Sequence, residues 1–188
     1  MVSSESTGAK KQILKEGQNS HAHYLLLSLS RAAQAIQQAH TAEDFYIAVG
    51  REINQLGGEV SLLLLDEAGT KLSIAYTSYS PKLISRAEKL TRLSLKNYKL
   101  PIPPESAYEI ALQGDTAFFI DESNEIISNI LPNALAFLSA QLISLFNLRQ
   151  GILAPLRVDK KVLGLLKVNG NFLNLDDLPA MESFAGHI

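Results

Sequence analysis

The sequence predicts an α+β fold: an antiparallel β-sheet with N- and C-terminal helices on one face and a lid segment with short helices on the other. Three observations predict it. Hairpin patterns stand at both ends of the strand list, over 59–77 and 151–168, and imply antiparallel pairing. Long amphipathic patterns lie outside those hairpins, one before the first and one after the last. Between about Ser80 and Gln150 the pattern is irregular. A connection that long is uncommon in a compact domain unless it forms a lid or a binding segment.

Residues 1–20 are mostly Ser, Gly, Lys, Glu and Gln and read as a mobile tail or the end of a linker, with residues 21–188 as one domain. Leu25, Leu29, Ala32, Ile36 and Ala39 recur at helical spacing, giving a first helix over His21–Ala39. Thr41 with Asp44 three positions on approaches a capping box. The second helix carries Phe45, Ala48, Val49, Ile53 and Leu56 on one face and stops at Gly57–Gly58. Glu59–Asp66 (EVSLLLLD) is a short apolar run and reads as a central buried strand. After a turn at Asp66–Gly69, Lys71–Thr77 alternates, with Leu72, Ile74 and Tyr76 on one side.

Pro81 opens a helix running to about Arg92. Tyr98–Ile102 can be a strand only at an edge, because Pro101 and Pro103 cannot donate to a ladder. Glu105–Leu112 reads as a short helix, Thr116–Ile120 as a short strand, and Glu125–Leu131 and Asn133–Phe146 as helices broken at Pro132. Ile152–Leu156 and Val162–Val168 form the closing hairpin around Asp159–Lys161. Asn174 or Asp176 caps the last helix, which leaves Pro179 in its first turn. That helix is unfinished at Ile188 and is expected to be truncated.

Composition narrows the function. The chain has 188 residues, 46% of them hydrophobic, enough for a sizeable core. A net charge of −2 offers no basic footprint for nucleic acid. No apolar stretch approaches the ~18 residues that span a bilayer, and the first residues lack a secretory apolar core. With no cysteine, the chain can make no disulfide, thiolate metal site or thiol nucleophile, which fits a cytoplasmic location. His21 and His23 read as an ordinary helix start, and no metal site is expected. Glu105, Glu109, Asp115, Asp121, Glu122 and Glu125 form an acidic segment that reads as caps and solvated loops. No Ser/His/Asp spacing or other nucleophile–base pair is favoured, so the domain is expected not to be an enzyme.

The order of elements, together with the stretches LSRAAQAIQQAHTAEDFYIAVGREI, SLLLLDEAGTKLSIAYTS, TAFFID and ILAPLRVDKKVLGLLKVNGNFLNLDDLPAMESFAGHI, resembles a GAF domain of the bacterial signalling type. These stretches are spread over residues 29–188. The resemblance implies a small-molecule sensory module, as in sensor histidine kinases, with a pocket in front of the sheet. It implies that Tyr76, Tyr98, Tyr108, Phe118 and Phe119 border that pocket. It also implies a homodimer through the terminal helices, chiefly at Leu25, Leu26 and Leu29, where Leu25, Leu26, Leu27 and Leu29 give surplus apolar surface, and a downstream output domain. A ligand-free dimerisation scaffold is the alternative, favoured if Phe118, Phe119 or Leu138 fills the cavity. The ligand stays open, except that covalent attachment of a tetrapyrrole through cysteine is excluded. Some GAF-like proteins reduce methionine sulfoxide, but with cysteines that this chain lacks. Asn169, Phe172, Asp176 and Asp177 echo the Asn-Lys…Phe…Asp-Glu signature of cyclic-nucleotide phosphodiesterase members, with Gly170 where the Lys would stand.

Overall fold

The computed structural model describes residues 23–35, 37–121, 124–159 and 161–187. The expected tail at 1–20, together with His21, Ile36 and Glu122, lies outside them. Helix α1 covers 23–35 and continues over 37–38. Helix α2 (Ala42–Gln55) starts at a full capping box: the Thr41 hydroxyl accepts from the Asp44 amide at 3.1 Å, and the Asp44 carboxylate accepts from the Thr41 amide at 3.2 Å. Strands β1 (Glu59–Leu65) and β2 (Lys71–Thr77) follow as a hairpin. Asp66 shapes its turn by accepting from the amides of Thr70 (2.7 Å) and Lys71 (3.1 Å).

Helix α3 (Pro81–Thr91) is capped by Ser80 and stops at Arg92 in the left-handed region. Strand β3 (Lys99–Pro101) is an edge, as its prolines require. Helix α4 (Ala107–Gln113) begins after Ser106, two residues later than the sequence suggests, because Ser106 supplies the cap and Glu105 takes a positive φ of 58°. Strand β4 (Phe118–Asp121) and helix α5 (Asn124–Ile130) come next. The segment expected as one helix over Asn133–Phe146 divides into a 3₁₀ stretch, Asn133–Leu138, and helix α6, Ser139–Phe146. Strands β5 (Gln150–Val158) and β6 (Lys161–Asn169) form the closing hairpin, and α7 (Leu178–Ala185) follows a short 3₁₀ turn.

The six strands form one sheet in the order β3-β2-β1-β6-β5-β4, antiparallel at every pairing. The chain starts and ends its sheet in the middle, so β1 and β6 are central. On the rear face, α1, α2 and α7 pack on Val60, Leu62, Ile152, Leu166 and Val168, with Leu25, Ile53, Met181 and Phe184 closing the layer. On the front face, Leu63, Leu72, Leu153 and Leu165 meet Tyr108 and Ala111 of α4, and a further cluster joins α3, α5 and α6.

One register shift matters for the site. Leu63 pairs with Ile74 and Leu62 with Tyr76, so Ala75 is the extra residue of a β-bulge. The bulge inverts the alternation. Leu72 and Ile74 face front, but Tyr76 faces the rear helices. The expectation that Leu72, Ile74 and Tyr76 share a side is therefore corrected.

Candidate ligand pocket

The front layer does not close on the sheet. Two adjoining cavities remain, of about 140 and 120 Å³, whose walls share Ile74, Leu95, Leu100, Ile127, Ile130 and Phe146. The sheet supplies Ile74 and Leu100. Helices α5 and α6 supply Ile127, Ile130, Leu142 and Phe146, the connecting segments supply Leu93, Leu95, Leu131 and Leu148, and α3 adds Ala87, Glu88 and Thr91 to the outer cavity. The outer cavity is almost wholly apolar, and its polar side chains are turned to backbone. The Glu88 carboxylate accepts from the Leu95 amide at 2.8 Å. The Thr91 hydroxyl donates to the Ala87 carbonyl at 2.8 Å and accepts from the Leu93 amide at 3.2 Å.

The inner cavity has a more polar floor, formed by Ser61, Thr77, Tyr108, Lys167 and Asn169. The Ser61 hydroxyl donates to that of Thr77 at 3.0 Å across the β1–β2 pair. Lys167 is buried. Its ammonium donates to the Tyr108 hydroxyl at 3.0 Å and sits 5.5 Å from the centre of that ring. At the other end the Tyr98 hydroxyl donates to the Ile130 carbonyl at 2.6 Å, fastening the end of α5 to the residue that leads into β3. Burial raises the Tyr98 pKa above its ordinary value, so the phenol stays protonated and able to donate.

Of the five aromatic residues expected at the pocket, Tyr98 lines the outer cavity and Tyr108 the inner. Phe118 packs in the front core and lines neither. Phe119 and Tyr76 lie on the rear face, Phe119 because the strand alternates and Tyr76 because of the bulge. Tyr76 stacks on Tyr46 at 5.5 Å between centroids, with its hydroxyl against Gly50. Burial, then the Glu59 carboxylate, raises its pKa. The wall residues that sequence reasoning missed include, on the lid helices, Ala87, Thr91, Ile127, Ile130, Leu142 and Phe146. Their signal was present as pairs three or four apart in each short lid helix.

On α1, Leu25 and Leu29 are buried in the rear core at 1% and 4% exposure. They therefore offer no surface to a second copy. The exposed apolar residues there are Tyr24, Leu26 and Leu27, at 59%, 55% and 40%. The phosphodiesterase-like positions have structural roles. Asn174 and Asp177 form a capping box, with the Asp177 carboxylate accepting from the Asn174 amide at 2.9 Å. The Phe172 ring lies where a Cβ on Gly170 would stand, so a lysine after Asn169 would have to displace that ring. Among the described residues there is no group of three or more His, Cys, Asp or Glu able to hold a metal. Nor is any helix among them long and apolar enough to cross a membrane.

No family model matches the sequence, and no curated protein matches it significantly. Solved structures do match its coordinates. The GAF domain of an Acinetobacter phosphoenolpyruvate-protein phosphotransferase aligns over 86% of this chain and 88% of its own, with a TM-score of 0.58 and 14% identity. The phycoerythrobilin-bound GAF domain of a cyanobacterial phytochrome aligns over 87% and 92%, with a TM-score of 0.55 and 15% identity. The chain has the GAF fold. Staphylococcus aureus fRMsr, solved in complex with its substrate, aligns over 87% and 92%, with a TM-score of 0.58 and 16% identity. This match corrects the expectation that the domain is no enzyme. The GAF fold carries an enzyme in fRMsr, so neither the fold nor the lack of a familiar residue pair excludes catalysis.

Proposed function

We propose that this chain is a regulatory domain that binds a small molecule between sheet and lid and passes the change to its rear helices. The observation that carries this reading is the front cavity, left open between a continuous sheet and four short lid helices. Its walls are the usual kind for a small ligand: apolar, with a few hydrogen-bonding groups at one end. Phe118, Phe119 and Leu138, whose filling of the cavity would favour a ligand-free scaffold, line neither chamber. A methyl-accepting chemotaxis protein of the same fold supports a signalling context.

In this reading residues 21–188 form the sensory unit and residues 1–20 the end of a linker. The output is a kinase-type domain in the cytoplasm, reached through α1 and α7. Two copies pair along α1 through Tyr24, Leu26 and Leu27 rather than through Leu25 and Leu29. The switch is a population shift, and a ligand reverses a 1:99 balance only by preferring one state by about 5.5 kcal/mol. Hydrogen exchange with and without a bound small molecule tests the relay. Slower exchange in the lid together with altered exchange in α1 and α7 is the expected result. Protection confined to the lid overturns the relay. Sedimentation of a Leu26→Glu, Leu27→Glu variant checks the pairing, which predicts a dimer for the parent and a monomer for the variant.

A further inference from the structure

We infer that the pocket takes a compact, largely apolar molecule of about one ring, with room for one small polar substituent at its inner end, rather than a tetrapyrrole or a nucleotide. The inference rests on the reading of the front cavity as a ligand site and names the class of ligand. Size is the first argument. The chambers measure about 140 and 120 Å³. A dry apolar cavity of roughly 150 Å³ holds one benzene. The four rings of a bilin, or a base with its sugar and phosphate, exceed either chamber.

Chemistry is the second argument. The outer chamber is aliphatic wall plus Phe146 and Tyr98, and its Thr91 and Glu88 already bond to backbone amides and a carbonyl. A charged ligand placed there would give up its hydration among apolar walls, and an anion would also meet the Glu88 carboxylate. A neutral ring loses little on entry and gains contact with the aliphatic wall. The inner chamber differs in its floor, which carries Tyr108, Asn169 and the Lys167 ammonium that donates to Tyr108. The Ser61–Thr77 hydroxyl pair lies on its floor, so a hydroxyl or similar group pointing inward has a hydrogen-bonding partner that can rotate to meet it.

Closure is the third argument. The 2.6 Å bond from Tyr98 to the Ile130 carbonyl ties α5 across the outer chamber. A large ligand must break it, whereas a ring-sized one fits beneath it. Tyr98→Phe removes this tie without adding bulk.

The test uses the purified chain with toluene and p-cresol as probes, and biliverdin and cyclic AMP as the large alternatives. Methyl NMR of Ile74, Ile127 and Ile130 reports occupancy, and dissolved xenon reports access without any substitution. Toluene and p-cresol should shift these methyls saturably and raise the melting temperature. Ala87→Leu, which fills the outer chamber, should weaken toluene at least tenfold, and Ala87→Val should weaken it less if the leucine variant folds poorly. Ser61→Ala should weaken p-cresol several-fold and leave toluene unchanged. If biliverdin or cyclic AMP moves the same methyls and toluene does not, the inference fails while the front cavity remains a ligand site. If no probe and no xenon enters and Ala87→Leu only stabilises the fold, the inference fails together with the idea of a ligand. If toluene binds but exchange in α1 and α7 is unchanged, the ligand class stands and the relay alone is lost.

Discussion

The two faces of this sheet share the same six strands but are covered in different ways. Behind it, α1, α2 and α7 each present a continuous apolar stripe, and Val49, Ile53, Ile152, Leu166 and Met181 are fully sealed. In front, α3, α4, α5, α6 and a 3₁₀ stretch share the work, with loops between them, and the cover leaves two chambers. Behind the sheet, the 14-residue α2 aligns its side chains with the strands over several turns. In front, α4, α5 and α6 have only seven or eight residues and contact the sheet over about two turns each; α7 behind it is as short, but it packs together with α1 and α2 in one cluster. The front cavities lie where short helices and the loops between them meet the sheet.

Four measurements can break or sharpen this contrast. The largest effect is expected from equal truncations on the two faces. Ile53→Ala, in the sealed rear layer, should cost about 4 kcal/mol. Leu142→Ala, beside an existing void, should cost about 2 kcal/mol, because its neighbours have less contact to lose. Equal losses in chemical denaturation would end the distinction. Next is Gly50→Ala on α2. In an ordinary helix it would gain about 1 kcal/mol. Here the Tyr76 hydroxyl occupies the place of the new methyl, so the expected result is a loss of about 1–3 kcal/mol. A gain would mean that Tyr76 moves freely and the rear is looser than described.

Smaller effects follow at the ends of elements. Thr41→Ala removes one half of the capping box on α2 and should cost about 1 kcal/mol by thermal unfolding. Asp66, at the exposed β1–β2 turn, belongs to neither face and should matter least. Backbone hydrogen bonds from Thr70, chiefly, hold its pKa below 3.8, the ordinary value. A depressed carboxyl stabilises the fold above that value, and its contribution fades as pH falls through the lower, folded one. An NMR titration should place Asp66 below 3.8, and Asp66→Asn should slightly flatten the acid limb of stability.

The same contrast explains how much the sequence disclosed. The rear helices were legible because a long stripe such as Phe45, Val49, Ile53 and Leu56 repeats its message over several turns. The closing hairpin was legible because two apolar runs flank a charged turn. The pocket was only half legible. Alternation assigns side chains to faces only while the register holds, and one inserted residue at Ala75 sent Tyr76 backwards. Phe119 shows the other limit: adjacent aromatics in a strand point to opposite sides, so Phe118 and Phe119 could not both face front. The lid walls were missed because aromatic residues drew attention and the aliphatic pairs of α5 and α6 did not. On α1, Leu25 and Leu29 fell on the buried side of the same stripe that leaves Leu26 outside.

The margins of the sheet carry a consequence for handling the protein. An open strand border is a template on which a neighbouring chain can zip, the first step toward fibres. Here one border is the three-residue β3, ending in Pro101 with Pro103 close behind, and the other is the four-residue β4. Neither is long enough to seed stacking, and proline removes a donor where β3 would extend. Concentrated solutions should therefore fail, when they fail, by sticking along helix surfaces rather than by growing amyloid.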